Sequence, residues 1–433
     1  MSLYEPVVSL NGNTNAYESV RLAVLDEIAR TKVDGRDRDA VAAVARAHVD
    51  AFQRNAETGV GHRFARPEVV VERLVRSVCG AGPFEKFFPP SELAVEVLFK
   101  GGVISFVTPA GELRVDTEPT CQDELFANCQ RIFADAGATF DLEHPVVVHQ
   151  VWNNQVRASV SIPPVSDCLD GTFRIYRPHR TDLVDLVELD SMTSSAANVL
   201  AAFALATSGL LITGGPGSGK STILSAWLRA VPATTITRIV QGVRELDAPH
   251  LPGGRWSPEA VGFPIRRLVQ MALQFAPQLL IVGETLGEEA FELLKAANAG
   301  CGFGTTLHAN SAQLGMQSLV TAALMAGENV PERVVRTSFA RLIDLVVHCE
   351  AEPLHHVPEG GRRRRQVMEI CAVPAQINHD EFVLEPLFAR EDFGRPLEFV
   401  GHHLPDDLER RLNRALPGRI TIRDLAEGSA VIL

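Results

Sequence analysis

The amino-terminal part of the chain carries apolar residues at helical spacing. Residues 17–56 repeat apolar side chains every three or four positions, with one polar break at TKVDGRD. The break separates two runs, and each run is long enough for a helix of ordinary length. We therefore expect a helical segment over residues 1–66.

Between residues 67 and 180 the pattern mixes helices with short strands. Apolar periodicity from Pro67 to about Gly80, and again over residues 121–137, predicts two helices. Short segments with alternating apolar and polar residues surround the second helix and predict strands: 93–102, 103–115 and 156–165. This mixture predicts a small α+β domain over residues 67–180.

After residue 180 the chain is polar for a short distance and then changes character. Segment 181–192 carries polar residues next to serines and threonines suited to cap a helix, so we expect a linker there. From residue 193 to 433, apolar strands alternate with helices, which predicts parallel strands joined by crossover helices. A β-hairpin and a polar helix are expected in the tail after about Val373. The expected fold class is α/β.

A glycine-rich loop joins the strand LLITG to an amphipathic helix. Gly214–Ser221 match G-x-x-x-x-G-K-[ST], and the flanking strand and helix are the context that this motif requires. Such a loop turns backbone N–H groups toward phosphate, its lysine reaches the terminal phosphates, and its hydroxyl can bind Mg²⁺. A glycine-rich turn that binds nothing is the simpler alternative. We expect ATP to contact these residues: Gly214, Gly215, Gly217, Ser218, Gly219, Lys220, Ser221 and Thr222.

A second apolar strand, QLLIVGE, ends in the carboxylate of Glu284. In P-loop proteins a parallel neighbour of the first strand carries such an acid to the phosphate edge, where it orients water or holds Mg²⁺. We therefore expect Glu284 to be catalytic, to hold Mg²⁺ together with Ser221, and to follow a strand beside the P-loop strand. A buried strand that ends in a solvated turn residue fits this stretch equally well by itself.

Composition narrows the class of protein. The 433 residues are 46% hydrophobic and 22% charged, which is typical of a globular protein with more than one domain. The formal net charge of -12 disfavours general binding to nucleic acid. Seven scattered cysteines without a C-x-x-C pair indicate neither a zinc site nor a disulfide framework. Because neither a signal peptide nor a membrane span is recognisable, we expect a cytoplasmic protein.

The stretch that follows Glu284 resembles a known family. A helix ending in AANAG precedes TTLHANS, residues Thr305–Ser311. Together with Gly283-Glu284, this resembles the Walker B strand and His box of the type II and type IV secretion traffic ATPases, especially the Flp/Tad pilus assembly branch. The segments CGAGPFEKFF, VRASVSIPPV and RIVQG resemble other parts of that family, so the resemblance extends from about residue 17 to 390.

The resemblance implies an architecture, partners and residue roles. It implies an N-terminal α/β domain linked to a RecA-like ATPase domain, a hexameric ring with ATP between the domains, and a membrane platform protein as partner at the inner membrane. Lys220 and Ser221 would hold phosphate and Mg²⁺, Glu284 would polarise the attacking water, and His308 would contact the γ-phosphate. A lone histidine at a strand end is otherwise more often structural.

Several positions depart from the family pattern. The acidic Asp box is replaced by the shorter RIVQGVREL, in which Glu245 is the remaining candidate catalytic acid, unless it is a solvated loop residue. Leu286 stands where an arginine normally follows the Walker B glutamate, and Arg157 is displaced by two positions from a family arginine. We expect substitutes for these cations, Arg174 and Arg177 at the nucleotide and also Arg180, although a solvated basic linker is nearly as compatible. Arg362–Arg365 are expected at a solvated hairpin tip, with acidic lipid or a partner's acidic loop as the alternative contact.

The function expected from these observations is an ATP-driven motor of a secretion or Flp/Tad pilus system. The main alternative is a nucleotide-binding scaffold or regulator of the same family that hydrolyses ATP poorly, because the Asp box is altered. A DNA translocase or a P-loop kinase would use the same loop. The acidic net charge argues against DNA as a partner, and a kinase would need neither the first domain nor the His box.

Overall fold

The chain forms two compact units, Met1–Tyr176 and Arg177–Leu433. The computed structural model describes residues 11–57, 63–109, 111–153, 155–176, 181–242, 245–246, 248–256, 263–298, 300–357, 363–379, 381–416, 418 and 420–433. The expected domain boundary at residue 180 lies outside these residues, as do Arg177, Arg180 and Arg362. Within the described ranges, every helix falls short of the length and apolarity needed to cross a bilayer.

The first unit begins with helices that pack on one another. They are α1 (Asn11–Thr31), α2 (Arg38–Glu57) and α3 (Pro67–Cys79). Val24, Val41 and Leu74, one from each helix, are fully buried in their shared core. The predicted helical segment 1–66 therefore packs against the helix that follows it in sequence.

An antiparallel sheet forms the rest of the first unit. The described residues give it six strands in the order β3-β2-β1-β6-β5-β4, with α4 packed on its core. The rings of Phe84, Phe99 and Phe173 pack with centroids 4.7 to 5.1 Å apart. The bounds of these elements are β1 Glu96–Lys100, β2 Val103–Val107, β3 Leu113–Val115, α4 Gln122–Asp135, β4 Val146–Val151, β5 Val156–Ser161 and β6 Asp170–Ile175.

A buried carboxylate ties three of these helices together. Glu124 on α4 is fully buried, and its carboxylate accepts from Arg73 Nη2 at 2.8 Å and from the Tyr17 hydroxyl at 3.0 Å. The Arg73 guanidinium also lies 5.0 Å from the centroid of the Tyr17 ring. Burial raises the pKa of the Tyr17 hydroxyl far above its usual range, so this group stays a neutral donor.

The second unit is built on a mixed sheet. Its described residues contribute nine strands in the order β17-β16-β13-β12-β7-β11-β10-β8-β9. Strands from β12 to β9 in that order run parallel, whereas β13, β16 and β17 continue the sheet in antiparallel fashion. The strand bounds are β7 Leu210–Gly214, β8 Thr237–Val240, β9 Gly253–Trp256, β10 Leu279–Val282, β11 Gly302–Leu307, β12 Leu345–Ala351, β13 Arg365–Ala372, β14 Ile377–Asn378, β15 Glu381–Phe382, β16 Glu385–Ala389 and β17 Glu398–Phe399.

Helices cover both faces of this sheet. On β7, Leu210 and Ile212 join one core with α5, α6, α7, α12 and α13, whereas Leu211 joins the opposite core with α8 to α11. This arrangement confirms the α/β fold class expected from the sequence. The helix bounds are α5 Leu183–Glu188, α6 Ser194–Leu205, α7 Lys220–Ala230, α8 Ile265–Gln274, α9 Glu289–Asn298, α10 Ala312–Leu324, α11 Glu332–Leu342, α12 Asp406–Ala415 and α13 Ile422–Ala426.

The segment expected to be a linker contains the short helix α5. Asp182 and Asp185 form a capping box at its start, and Leu183 and Leu186 are buried in the core of the second unit. Two apolar side chains within one helical turn are enough to dock so short a helix, but they give too weak a periodicity to be recognised in the sequence. The described part of 181–192 is therefore part of the second unit.

The tail follows its sequence pattern. β14 and β15 pair in antiparallel fashion as a hairpin after Val373, and α12 is the expected polar helix. Leu408 and Leu412 form its apolar stripe and are buried in the core shared with α6.

We expect Glu124→Gln to destabilise the first unit, because it removes one of the two carboxylates paired with the buried Arg73 guanidinium and leaves Glu118, at 3.3 Å, as the other. Removing one member of a buried ion pair costs about 3 kcal/mol when the remaining charge is uncompensated, and less here because Glu118 stays paired with Arg73. Amide hydrogen exchange of α1, α3 and α4, followed by peptide mass spectrometry, measures the loss as reduced protection. Glu112→Gln is the matched control, since its ion pair with Arg114 is exposed and its loss leaves the same amides protected. Equal protection in both variants would contradict this role of Glu124.

Candidate active site

The glycine-rich loop turns tightly between β7 and α7. Gly217 has φ 69° and Gly219, the residue before the first turn of α7, has φ 100°. Both angles are in a region that side chains with a Cβ rarely adopt, so the sequence needs glycine at these two positions. Ser218 is buried, and its Oγ lies 3.5 Å from Cys349 Sγ on β12 beneath the loop. Ser221 and Thr222, in the first turn of α7, are half-buried.

Lys220 points back into its own loop. Its Nζ donates to the carbonyl oxygens of Gly214 at 3.1 Å and Gly215 at 3.0 Å. The same atom lies 3.2 Å from Nδ1 of His308. The ammonium can only donate, so Nδ1 must be the acceptor and therefore carries no proton.

The imidazole of His308 continues this contact to Glu284. Its Nε2 lies 3.0 Å from Oε1 of Glu284. A neutral ring with its proton on Nε2 accepts from Lys220 on one side and donates to the carboxylate on the other. The structure thus brings together three of the residues expected to act on phosphate, in the order Lys220, His308, Glu284.

The order of the strands explains this arrangement and corrects one expectation. β10, which leads to Glu284, is not a neighbour of the P-loop strand β7, because β11 pairs with both and lies between them. The local patterns of the sequence define each strand but not its place in the sheet. His308 directly follows β11, so its side chain lies between Lys220 and Glu284.

Hydroxyl groups fix the segment that carries Glu284. Thr306 Oγ1 donates to the carbonyl of Gly283 at 2.8 Å, and the hydroxyls of Thr285 and Thr305 lie 2.8 Å apart. The Thr285 N–H also donates to the Thr306 carbonyl at 2.9 Å. Sequence reasoning assigned these threonines no role. Their signal was the presence of hydroxyl residues in otherwise apolar strands.

The loop that replaces the Asp box is organised by Gln241. This buried side chain accepts from the backbone N–H groups of Glu245 at 3.1 Å and Leu246 at 2.9 Å. Because β8 and β10 are parallel with Val240 opposite Val282, the loop emerges at the same edge of the sheet as Glu284. The described contacts of Glu245 involve its backbone. The contacts described for Lys220, His308 and Glu284 do not include the Glu245 carboxylate.

The oxygen atoms of Ser221 and Glu284 suit a Mg²⁺ ion bound together with phosphate. Mg²⁺ prefers oxygen ligands and commonly takes only one or two from protein, the rest coming from phosphate and water. The site therefore fits Mg²⁺ that arrives with a nucleotide.

Arg174 is a residue of the first unit, where it lies on β6. It pairs in register with Arg157 on β5 and with Glu96 on β1. Its guanidinium carbon lies 5.5 Å from the centroid of the Tyr176 ring. Arg174, Arg157 and Glu96 lie on one face of the sheet, so this face carries two arginines beside one glutamate.

Arg365 is exposed, as expected of a solvated arginine run, but it also contacts the P-loop. Its Nε donates to the carbonyl of Gly217 in the P-loop at 2.9 Å. Arg363 Nε donates to the Glu352 carbonyl at 2.7 Å, and Arg364 Nε lies 3.6 Å from the Glu352 carboxylate. The physical reason is the sheet order: β13 begins at Arg365 and pairs with β12, which pairs with the P-loop strand.

A family comparison agrees with this geometry. The sequence model of the family described as Type II/IV secretion system protein matches residues 146–380, more than half of the chain. The chain belongs to this family. The match includes the P-loop, the strand before Glu284, the His box and the start of β13.

Individual relatives of this secretion-system protein come from several bacteria. A Mycobacterium tuberculosis protein described as a putative conjugal transfer protein is 31% identical over 250 residues. The match covers 54% of this chain and 68% of that protein. The type IV secretion system protein PtlH of Bordetella pertussis is 31% identical over 166 residues, covering 36% of this chain and 48% of PtlH. The solved ATPase DotB of Legionella pneumophila has a TM-score of 0.48 at 20% identity, covering 64% of this chain and 77% of that chain.

We expect Gly214→Ala to disrupt the loop of this secretion-system protein and Gly215→Ala to be tolerated. A Cβ on Gly214 would overlap the carbonyl oxygen of Cys349, whereas a Cβ on Gly215 meets nothing within 4 Å. Backbone strain of this kind costs roughly 1 to 3 kcal/mol. Thermal unfolding of the two variants and the wild type checks this difference. An unchanged melting temperature for Gly214→Ala would show that β7 and β12 can separate at little cost.

Proposed function

We propose that this chain binds ATP with Mg²⁺ and hydrolyses it as the motor of a secretion or pilus assembly system. The supporting observation is the continuous contact from Lys220 through His308 to Glu284. It links the cation that would hold the terminal phosphate to the carboxylate that would orient water. We propose that ATP contacts the residues expected from the motif, Gly214, Gly215, Gly217, Ser218, Gly219, Lys220, Ser221 and Thr222.

The proposed chemistry is an in-line attack of water on the γ-phosphorus. Glu284 accepts a hydrogen bond from the water and aligns it. The water oxygen bonds to the γ-phosphorus as the bond from that phosphorus to its bridging oxygen breaks, the water's proton passes to the phosphate product, and ADP and phosphate leave. Ser221 and Glu284 would hold Mg²⁺, which would supply charge neutralisation on the phosphates. Positioning and electrostatics account for most of the catalysis in this class of reaction.

The hydrogen bonds of His308 would couple the position of Lys220 to that of Glu284. When Lys220 turns to a phosphate, Nδ1 of His308 loses its donor, and the ring can rotate or take up a proton. Either change alters its hydrogen bond to Glu284. Phosphate binding would then adjust the carboxylate that activates water, without direct contact between Lys220 and Glu284.

The wider assignment rests on similarity. The relatives described for conjugal transfer and type IV secretion support a role in moving macromolecules across an envelope. We propose a hexameric ring in the cytoplasm, attached to the inner membrane through a platform protein, with a Flp/Tad pilus as the system favoured by the sequence resemblance. In such a ring Arg174 and Arg177 would supply cations to the nucleotide, and Glu245 would act as a second catalytic acid.

One observation favours a different function in the same family. Glu245 contributes only its backbone to the described contacts around Gln241, and Leu286, in the place of a family arginine, is exposed. These features suit a nucleotide-binding scaffold or regulator that hydrolyses ATP poorly. Steady-state phosphate release distinguishes it from a motor.

We expect Glu284→Gln to abolish most phosphate release while leaving nucleotide binding intact. Loss of an acid or base that acts in the transition state typically costs about 10² to 10⁴ in rate. Phosphate release by the purified chain with ATP and Mg²⁺ is the measurement, and equilibrium binding of a fluorescent ADP is the second readout. Lys220→Ala should instead lose binding.

Glu288→Gln is the matched control for this experiment. Glu288 lies close in sequence to Glu284, is exposed, and pairs with Arg266 rather than with His308. It should release phosphate at the wild-type rate. If the wild type releases phosphate no faster than Glu284→Gln, the motor proposal fails and the scaffold alternative remains.

A further inference from the structure

The P-loop is contacted by a second cationic side chain besides Lys220. Arg365 Nε donates to the Gly217 carbonyl at 2.9 Å. A Cβ placed on Gly219 would lie 3.8 Å from both Cβ and Cδ of Arg365. The aliphatic part of the arginine therefore lies against the last glycine of the loop, and its guanidinium lies against the middle of the loop.

The backbone of Arg365 is positioned by the sheet that carries the loop. Arg365 pairs with Ala351 on β12, and two residues earlier on β12 Cys349 pairs with Gly214, where the P-loop begins. The next residue, Gln366, is buried, and its Nε2 donates to the carbonyl of Asp190 at 2.9 Å. The side chain of Arg365 therefore extends from the start of a strand that is held in the sheet, rather than from the tip of a loop.

The arginines that precede it are engaged elsewhere. Arg363 and Arg364 both contact Glu352, through its carbonyl and its carboxylate respectively. Among the described members of the arginine run, Arg365 is the one that contacts the P-loop. The run as a whole is thus not a uniform basic surface.

The position of Arg365 in the sheet order indicates which part of a nucleotide it would meet. Glu284 and His308 follow β10 and β11, on one side of β7, while Arg365 starts β13 beyond β12 on the other side. The terminal phosphate must approach Glu284 for hydrolysis. The remainder of an extended nucleotide therefore runs toward the β12 and β13 side.

We propose that Arg365 is a nucleotide-binding residue that contacts the α-phosphate of bound ATP or ADP. This inference rests on the proposed nucleotide-binding function. A guanidinium carries five N–H donors in a planar fork, so it can hold the Gly217 carbonyl and a phosphate oxygen at once. The α-phosphate is common to ATP and ADP and lies far from the bond that breaks. Arg365 therefore contributes to affinity for both nucleotides and little to the rate of hydrolysis.

Arg365→Gln tests this assignment in the full-length protein. Glutamine can still donate to the Gly217 carbonyl but carries no charge, so it separates support of the loop from contact with phosphate. Hydrogen bonds to charged groups are strong enough that losing one weakens binding about tenfold or more. We expect the Kd of a fluorescent ADP, measured with Mg²⁺, to rise about tenfold, with phosphate release at saturating ATP within about threefold of the wild type.

Arg364→Gln is the matched control. It removes one charge from the neighbouring position, which pairs with Glu352 instead of the P-loop. Its Kd for the fluorescent ADP should stay within about twofold of the wild type, since Arg364 contacts Glu352 rather than the P-loop. Arg365→Ala should weaken binding at least as much as Arg365→Gln. Repeating the titration with ATP in a Glu284→Gln background should give the same ratio as ADP.

The possible outcomes separate this inference from the function on which it rests. If the wild type binds no ADP, the proposed function is wrong. If the wild type binds ADP and Arg365→Gln binds it equally well, the α-phosphate assignment is wrong. It is also wrong if Arg365→Gln lowers only phosphate release, or if Arg364→Gln weakens binding as much. Thermal unfolding shows whether each variant is folded, and should Arg365→Ala not fold, the comparison of Arg365→Gln with Arg364→Gln decides.

Discussion

The site depends on the position of β11 between β7 and β10. Neighbouring strands lie about 4.8 Å apart, so the ends of β7 and β10 are separated by roughly 10 Å. The described contacts join Lys220 and Glu284 through a third residue rather than directly. The imidazole of His308, which follows the intervening strand, spans that distance with contacts of 3.2 Å and 3.0 Å. The contact from Lys220 through His308 to Glu284, which supports the proposed function, depends on this strand order.

The rest of the second unit keeps these three strand ends in place. Apolar cores on both faces of the sheet fix the strands, and the hydroxyls of Thr285, Thr305 and Thr306 fix the backbone around Glu284. Gln241 does the same for the loop after β8. Buried polar groups of this kind are costly when unpaired, so a satisfied network selects one backbone arrangement. On the far side of β7, Arg365 adds a contact to the P-loop from a strand whose antiparallel pairing extends the sheet.

The sequence predicts what depends on local pattern. The helices, most strands, the glycine loop and the His box follow from periodicity, glycine placement and motif spacing, all of which involve residues close together in the chain. Strand order does not follow from local pattern. For this reason β10 was wrongly expected to lie beside β7. The contact of Arg365 with Gly217 joins residues 148 positions apart, and that of Arg73 with Glu124 joins residues 51 apart. Neither pair has a pattern that a single sequence displays, because the partners become neighbours only after the chain has folded.

Cys349 has a chemical consequence for the loop above it. Burial raises the pKa of its thiol to about 11, so almost none of it is thiolate at neutral pH. Oxidants and alkylating agents react with the thiolate, and the fully buried sulfur is also out of their reach. Here the sulfur is a buried hydrogen-bonding partner of Ser218 and of the Thr213 carbonyl, and it stays protected from these reagents as long as β7 and β12 stay paired.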